Sequence, residues 1–129
     1  MMTKLLKKRD DHLTIATSYD GLDAINKVCN NINLYDLLLI DNTMPNLSGA
    51  MATKLLRGIG YNKLIIGITG NNSEYDINEF NKTGLDYIFI KPFNSEKLEL
   101  LFNFLDNYGY SRIPNKKISM VSEDKLEWT

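Results

Sequence analysis

The stretch Tyr35–Gly49, YDLLLIDNTMPNLSG, decides the fold that this sequence predicts. Within it, the apolar run Leu37–Ile40 ends abruptly at Asp41. A short apolar run bounded by polar turn residues is typical of a strand that is buried on both faces of a parallel sheet. Open α/β sheets bind ligands at the carboxyl edge of their strands, which is where Asp41 falls. The stretch leaves two interpretations of Asp41 open: a ligand-binding carboxylate, or a residue that only ends the strand.

The composition predicts one globular domain. The chain has 129 residues, of which 43% are hydrophobic and 24% are charged, values that are ordinary for soluble proteins. Because the net charge is −1 and no basic cluster dominates, we expect neither nucleic acid nor a membrane as a partner. The single cysteine, Cys29, allows no internal disulfide and gives no metal-binding spacing. Without a signal peptide or an apolar run of spanning length, the expected location is cytoplasmic.

Apolar runs and helical patterns alternate along the chain. The first residues, 1–13, have the character of the end of a helix. Predicted strands cover residues 13–17, 37–40, 64–68 and 87–90, and predicted helices begin near residues 22, 50, 73 and 94. Strands that alternate with helices through short loops favour an α/β fold with a parallel sheet.

Three consecutive predicted strands end in polar side chains: Asp41, Thr69 and Lys91. In a parallel sheet these three ends lie side by side on one edge. A carboxylate there can act as a nucleophile and form an acyl phosphate. A hydroxyl can bond a phosphoryl oxygen, and a lysine can neutralise its charge as a compact cation. The three residues together therefore predict a site for a phosphoryl group.

These residues and their neighbours resemble the receiver domains of two-component response regulators. The resemblance covers residues 13–108. It is carried by Asp41 in DNTMPNLSG, by Thr69-Gly70-Asn71 after LIIGI, and by Gly84 before Lys91-Pro92-Phe93. The resemblance implies a flavodoxin-like (CheY-like) fold of three layers, whose five-stranded parallel sheet has the order 2-1-3-4-5.

The resemblance also implies roles for the residues at the three strand ends. Asp41 would be the phosphoacceptor of a phosphorelay, Thr69 the switch hydroxyl, and Lys91 the lysine that contacts the phosphate through a cis Lys91–Pro92 bond. A histidine kinase or a histidine phosphotransfer protein would supply the phosphoryl group from a phosphohistidine. The implied cofactor is Mg²⁺, bound by Asp41 and by the backbone carbonyl of Thr43. This role is signalling, not enzymatic.

The beginning of the chain departs from the family. A receiver opens with an apolar strand that ends in an acidic pair holding Mg²⁺, whereas this chain begins inside the helix that follows that strand. Asp10 and Asp11 have no apolar strand before them, so we expect them in a solvated loop.

The C-terminal run KISMVSED, residues 117–124, offers a replacement for the missing strand. It is β-like and ends in acids, so it predicts a first strand with Glu123 and Asp124, or Ser122, at the Mg²⁺ corner. Residues 109–116 would then be a linker, and residues 1–129 a single circularly permuted receiver domain. Two other arrangements stay open: a disordered tail on a truncated domain, and a strand that enters a neighbouring chain to give a strand-swapped dimer.

Two functions remain open at this point. One is a phosphorylatable receiver, and the other is a degenerate pseudo-receiver that binds protein partners without efficient phosphorylation. The acidic pair that would hold Mg²⁺ discriminates between the two functions. Without Mg²⁺, the Asp41 carboxylate and the incoming phosphoryl group, both anions, would meet without screening. An enzyme of the haloacid-dehalogenase kind would need a second acid two residues after Asp41. This chain has Thr43 there, so we set that function aside.

Overall fold

Strands and helices alternate between residues 15 and 108, as the sequence pattern predicts. The computed structural model describes residues 3–6, 15–18, 20–32, 34–43, 47–109 and 111–129. The elements are β1 (Thr3–Leu6), β2 (Ile15–Ser18), α1 (Gly21–Asn30), β3 (Leu37–Asp41), α2 (Gly49–Gly58), β4 (Leu64–Thr69), α3 (Glu74–Asn81), β5 (Tyr87–Ile90), α4 (Ser95–Tyr108), β6 (Ile118–Ser122) and β7 (Lys125–Trp128). No helix in these ranges is long and apolar enough to cross a membrane.

The main sheet has five strands in the order β2-β1-β3-β4-β5. Strands β3, β4 and β5 are parallel, as predicted, with Leu38 opposite Ile65 and Ile66 opposite Tyr87. Strand β1 runs antiparallel to both β2 and β3, so the prediction of an all-parallel sheet is wrong.

Strand β1 also corrects two predictions about the ends of the chain. Residues 3–6 form a strand, not part of a helix. They lie between β2 and β3, in the position predicted for residues 117–124, so the prediction that the C-terminal segment supplies this strand is wrong. Asp10, Asp11 and residues 13–14 of the predicted strand lie outside the described residues.

The C-terminal segment instead forms a separate antiparallel hairpin, β6-β7, in which Ile118 pairs with Trp128. Ile118 and Leu126 are buried in the hydrophobic cluster beneath α4, and the Trp128 ring packs edge-on against Phe104. The backbone N–H of Ile118 donates to the carbonyl oxygen of Asp86 at 3.1 Å. The segment is therefore an ordered part of its own chain, not a permuted strand or a disordered tail.

Helices cover both faces of the sheet, which confirms the three-layer architecture. Because side chains alternate along a strand, β3 sends Leu38 and Ile40 to one face and Leu37 and Leu39 to the other. The first pair packs in a cluster with residues of α1, α2 and α3 (Val28, Leu56 and Phe80). The second pair packs with residues of α4 (Leu101, Phe104 and Leu105). All five residues of β3 are buried, as its apolar run predicts.

Candidate functional site

The ends of β3, β4 and β5 bring the three predicted site residues to one edge of the sheet. Asp41 and Thr69 are the last residues of β3 and β4, and Lys91 follows β5. Strand β4 separates the other two, so the Lys91 side chain must reach across about 10 Å, twice the strand spacing. Its Nζ atom lies 2.6 Å from Oδ2 of Asp41. The sequence prediction that these ends share one edge is confirmed.

The two carboxylate oxygens of Asp41 have different partners. Oδ1 accepts a hydrogen bond from the backbone N–H of Thr43 at 2.9 Å, and Oδ2 pairs with the Lys91 ammonium. The residue is only 6% exposed, whereas the Lys91 side chain is 32% exposed. The site is therefore a nearly buried carboxylate beneath a cation that reaches solvent.

A close approach of two backbone segments fixes the loop after Asp41. The Gly49 N–H donates to the Asn42 carbonyl at 3.1 Å, and the Ala50 N–H donates to Oδ1 of Asn42 at 3.0 Å. A Cβ atom at Gly49 would lie 2.6 Å from the Asp41 carbonyl oxygen and 2.6 Å from Cγ2 of Ile40. Glycine is required at this position because α2 begins directly against the end of β3.

Thr69 lies between the two charged residues, at the end of the middle strand, and is 4% exposed. Its Oγ1 accepts the Asn71 N–H at 3.1 Å, which leaves its own hydroxyl hydrogen to donate. Its carbonyl accepts the Lys91 N–H at 2.7 Å. Thr69 thus offers a hydroxyl at this edge and also holds the backbone of Lys91.

The sequence analysis missed one residue beside this site, Lys97. Its Nζ lies 2.5 Å from the carbonyl oxygen of Ile90 and 2.9 Å from that of Pro92. These carbonyls flank Lys91, whose peptide bond to Pro92 is cis, as the resemblance implies. A lysine early in a helix gives no sequence signal for such contacts, because it is more often solvated.

With this geometry in place, comparison with known proteins decides the family. Residues 1–103 match the family model described as the response regulator receiver domain. The chain belongs to the response regulator receiver family. Such receivers are signalling domains of two-component and phosphorelay systems, and they interact with histidine kinases or phosphotransfer proteins.

Relatives and solved structures agree with this membership. The transcription factor SKN7 of Candida albicans is 39% identical over 95 residues, or 74% of this chain, and the chain spans 16% of that relative's length. The receiver domain of a Francisella response regulator is 32% identical, with a TM-score of 0.58 over 67% of this chain and 69% of that one. The fold is therefore CheY-like, as predicted.

A receiver domain of a sensor histidine kinase from Pseudomonas aeruginosa holds a magnesium ion in its active-site cleft. It is 28% identical to this chain, with a TM-score of 0.58 over 66% of this chain and 70% of that one. Mg²⁺ prefers near-octahedral oxygen coordination with one or two carboxylates. Among the described residues, Asp41 is the one carboxylate at the present site, and the Lys91 ammonium already contacts it. The described side chains therefore do not by themselves fit Mg²⁺.

The acids predicted to complete the metal site lie elsewhere. Glu123 and Asp124 form the turn between β6 and β7, where Oδ1 of Asp124 accepts a hydrogen bond from the Ser122 hydroxyl at 2.8 Å. They line a surface cavity of about 450 Å³ against α4, together with Glu96 and Asn103. No three acidic, histidine or cysteine side chains converge anywhere in the described ranges. The prediction that Glu123 and Asp124 join Asp41 and the Thr43 carbonyl in a metal site is wrong, because the hairpin that carries the two acids is a separate sheet packed against α4.

Proposed function

We propose that Asp41 accepts a phosphoryl group from a phosphohistidine and that this step is the function of the domain. The observation that carries the proposal is the 2.6 Å contact between the Lys91 ammonium and the nearly buried Asp41 carboxylate. That contact lies at the edge of the sheet where open α/β folds bind ligands. The donor is a histidine kinase or a histidine phosphotransfer protein.

In the proposed reaction, a carboxylate oxygen of Asp41 attacks the phosphorus atom of the phosphohistidine. The bond between phosphorus and the imidazole nitrogen breaks, its electron pair stays with the imidazole, and Asp41 becomes an acyl phosphate. The Lys91 ammonium neutralises charge on the transferred group, and the Thr69 hydroxyl donates to one of its oxygens. These two residues and Asp41 form the proposed machinery.

We propose that the phosphorylated domain acts through protein contacts in the cytoplasm and catalyses no further reaction. The net charge of −1 gives the domain no electrostatic basis for binding nucleic acid. The Candida relative is a transcription factor, and its alignment with this chain covers 16% of its length. For a longer protein of that kind, this domain would be the part that receives the signal.

The test is phosphorylation by acetyl phosphate, followed by intact mass spectrometry with and without Mg²⁺. We expect one added phosphoryl group on the natural chain and none on Asp41→Asn. Asp36→Asn is the matched control, because Asp36 immediately precedes β3 at the opposite end of the same strand and pairs with Lys63. That variant should react like the natural chain. Labelling that persists in Asp41→Asn would show that the acceptor lies elsewhere.

A second candidate function is a pseudo-receiver that binds partners without efficient phosphorylation. It is favoured by the small number of carboxylates at the site. The described residues contribute a single carboxylate to the site, so a second carboxylate ligand for Mg²⁺ would have to come from outside them. A natural chain that stays unlabelled by acetyl phosphate and by a phosphorylated phosphotransfer protein would support this second function. Labelling that requires Mg²⁺ would instead support the phosphoacceptor and a metal site of the kind that the resemblance to receivers implies.

A further inference from the structure

Lys97 lies in the first turn of α4, and its side chain folds back toward the strand that precedes the helix. The helix begins after Asn94, whose Oδ1 accepts the backbone N–H of Lys97 at 3.1 Å. Long side chains in a helix point toward its N-terminus, so the ammonium of Lys97 reaches the end of β5. There it lies 2.5 Å from the Ile90 carbonyl oxygen and 2.9 Å from the Pro92 carbonyl oxygen.

The position of this lysine is not explained by the stability of the helix. The N-terminus of a helix carries a partial positive charge, so a cation in the first turn is unfavourable there, and acids are preferred. Two carbonyl dipoles that face the Lys97 ammonium offset this repulsion, and hydrogen bonds to a charged donor are the stronger kind. The interactions that favour Lys97 are therefore those with the loop that carries Lys91.

The loop after β5 must hold Lys91 so that its side chain points toward Asp41. The N–H of Lys91 donates to the Thr69 carbonyl at 2.7 Å. The carbonyls of the two residues that flank Lys91, Ile90 and Pro92, accept from the Lys97 ammonium. The backbone around Lys91 is thus tied on one side to β4 and on the other side to α4. Its ammonium then extends over β4 to Asp41.

We infer that Lys97 is a positioning residue, which holds the loop after β5 so that the Lys91 ammonium stays at Asp41. The inference rests on the proposed phosphoacceptor function, because that function gives the position of Lys91 its consequence. Lys97 itself contacts neither Asp41 nor the phosphoryl group in this assignment. Its effect should therefore pass through Lys91.

The first test compares phosphorylation rates with acetyl phosphate. Lys97→Met keeps the length of the apolar stem and removes the ammonium, and we expect a rate about tenfold lower because small misplacements of a reacting group are costly. Lys97→Arg keeps a cationic donor and should restore most of the rate. The control is Lys82→Met, which loses the same charge from a solvent-exposed lysine paired with Glu79 on the surface. Its rate should be unchanged.

The second test is a double-mutant cycle with Lys91→Met. If Lys97 acts through Lys91, Lys97→Met should slow the reaction of the natural chain but have no further effect in the Lys91→Met background. A role in overall stability or in the general charge of the domain would slow both backgrounds equally. That equal slowing, or an unchanged rate in Lys97→Met alone, would overturn the inference.

A spectroscopic measurement separates this inference from the proposed function. In the unphosphorylated domain, the ¹³C chemical shift of the Asp41 carboxyl carbon reports whether the Lys91 ammonium is beside it, even if the domain cannot be phosphorylated. We expect this signal to move in Lys97→Met and to stay in place in Lys82→Met. A natural chain that cannot be phosphorylated would refute the function alone, whereas an Asp41 signal that is the same in Lys97→Met would refute the positioning role.

Discussion

Two buried aspartates at opposite ends of the sheet have different surroundings. Asp41 ends β3 at the carboxyl edge, and Asp86 immediately precedes β5 at the amino edge. Their exposures, 6% and 1%, are similar. Oδ1 of Asp86 accepts from Nε of Arg112 at 2.8 Å, and its Oδ2 accepts from Arg57 and from the Ile65 N–H, both at 3.0 Å. Within the described part of the chain, Asp41 is contacted by one backbone donor, the Thr43 N–H, and by the Lys91 ammonium.

The difference shows that the donors around a carboxylate, and not its burial, decide what it can do. A guanidinium is planar and presents its hydrogen atoms in a fixed fork, so the two arginines hold Asp86 in one geometry. The lysine at Asp41 is a point charge on a flexible stem, so it holds its carboxylate in a less fixed geometry. Asp86 is therefore a structural carboxylate, whereas the surroundings of Asp41 are compatible with the nucleophile that we propose.

One of the two arginines beside Asp86, Arg57, binds several parts of the chain at once. Its guanidinium also donates to the carbonyls of Gly84, Tyr61 and Lys63, at 3.0, 2.8 and 2.7 Å. Burial lowers the pKa of the Arg57 guanidinium from its ordinary value, and the nearby Asp86 partly offsets this. This end of the domain is a network of fixed contacts between loops, and we expect it to determine stability more than the Asp41 end does.

The largest expected effect is on the stability of Asp86→Asn. The substitution leaves two partly buried arginines without their carboxylate, and breaking a buried ion pair costs about 3–5 kcal/mol. Urea unfolding followed by circular dichroism measures this cost. A loss below about 1 kcal/mol would show that the arginines find solvent or other partners, and would remove the contrast between the two aspartates.

An intermediate effect is expected at high pH, from a tyrosine that contacts the same arginine. Tyr61 is buried beneath Arg57 and donates from its hydroxyl to the Tyr35 carbonyl at 3.1 Å. Burial raises the pKa of the Tyr61 phenol above its ordinary value, so the folded state keeps a proton that the unfolded state loses near pH 10. The stability that this proton contributes is complete below about pH 10. Above it, stability should fall by about 1.4 kcal/mol per pH unit until the folded pKa is reached.

Denaturant unfolding at pH 8, 10 and 11 tests this dependence. We expect Tyr61→Phe to be less stable than the natural chain at pH 8, by about 1 kcal/mol for the lost hydrogen bond. The difference should shrink above pH 10, because the variant has no proton to lose at this position. Tyr75→Phe is the control, since it removes a hydroxyl from a tyrosine that is 72% exposed on the surface. Parallel curves for the natural chain and Tyr61→Phe would contradict the prediction.

The smallest expected effect is on the stability of Asp41→Asn, the same substitution at the other aspartate. Lys91 loses its partner there, but its side chain is 32% exposed and can be hydrated. Interactions of partly exposed ion pairs are typically below about 1 kcal/mol, so the free energy of unfolding should change by no more than that. Comparing the loss of unfolding free energy in Asp41→Asn with that in Asp86→Asn tests the contrast between the two aspartates directly. A comparable loss at both sites would mean that the Asp41 pair is also structural.

Much of the fold and most of the candidate site could be predicted from local sequence patterns. The apolar run before Asp41 and the spacing of Thr69 and Lys91 predicted adjacent parallel strands and the edge at which their ends meet. That inference succeeds because a strand buried on both faces has few alternatives, and because the carboxyl ends of parallel strands share one edge. The contacts of Asp86 could not be predicted, because its two arginine partners are distant in sequence. Those of Lys97 are local, but a lysine early in a helix is more often solvated and gives no signal for them.

The sequence by itself determined the strands β3, β4 and β5, the helices that follow them, and the polar residues at the ends of these strands. Only the tertiary structure decided the place of residues 117–128. An apolar β-like run satisfies the central slot of a sheet as well as it satisfies a hairpin. In the tertiary structure β1 occupies the slot between β2 and β3, so the run pairs with β7 instead, and closing their two-residue turn costs little chain entropy. Glu123 and Asp124, the acids that the sequence pattern predicts as metal ligands, are the residues of that turn.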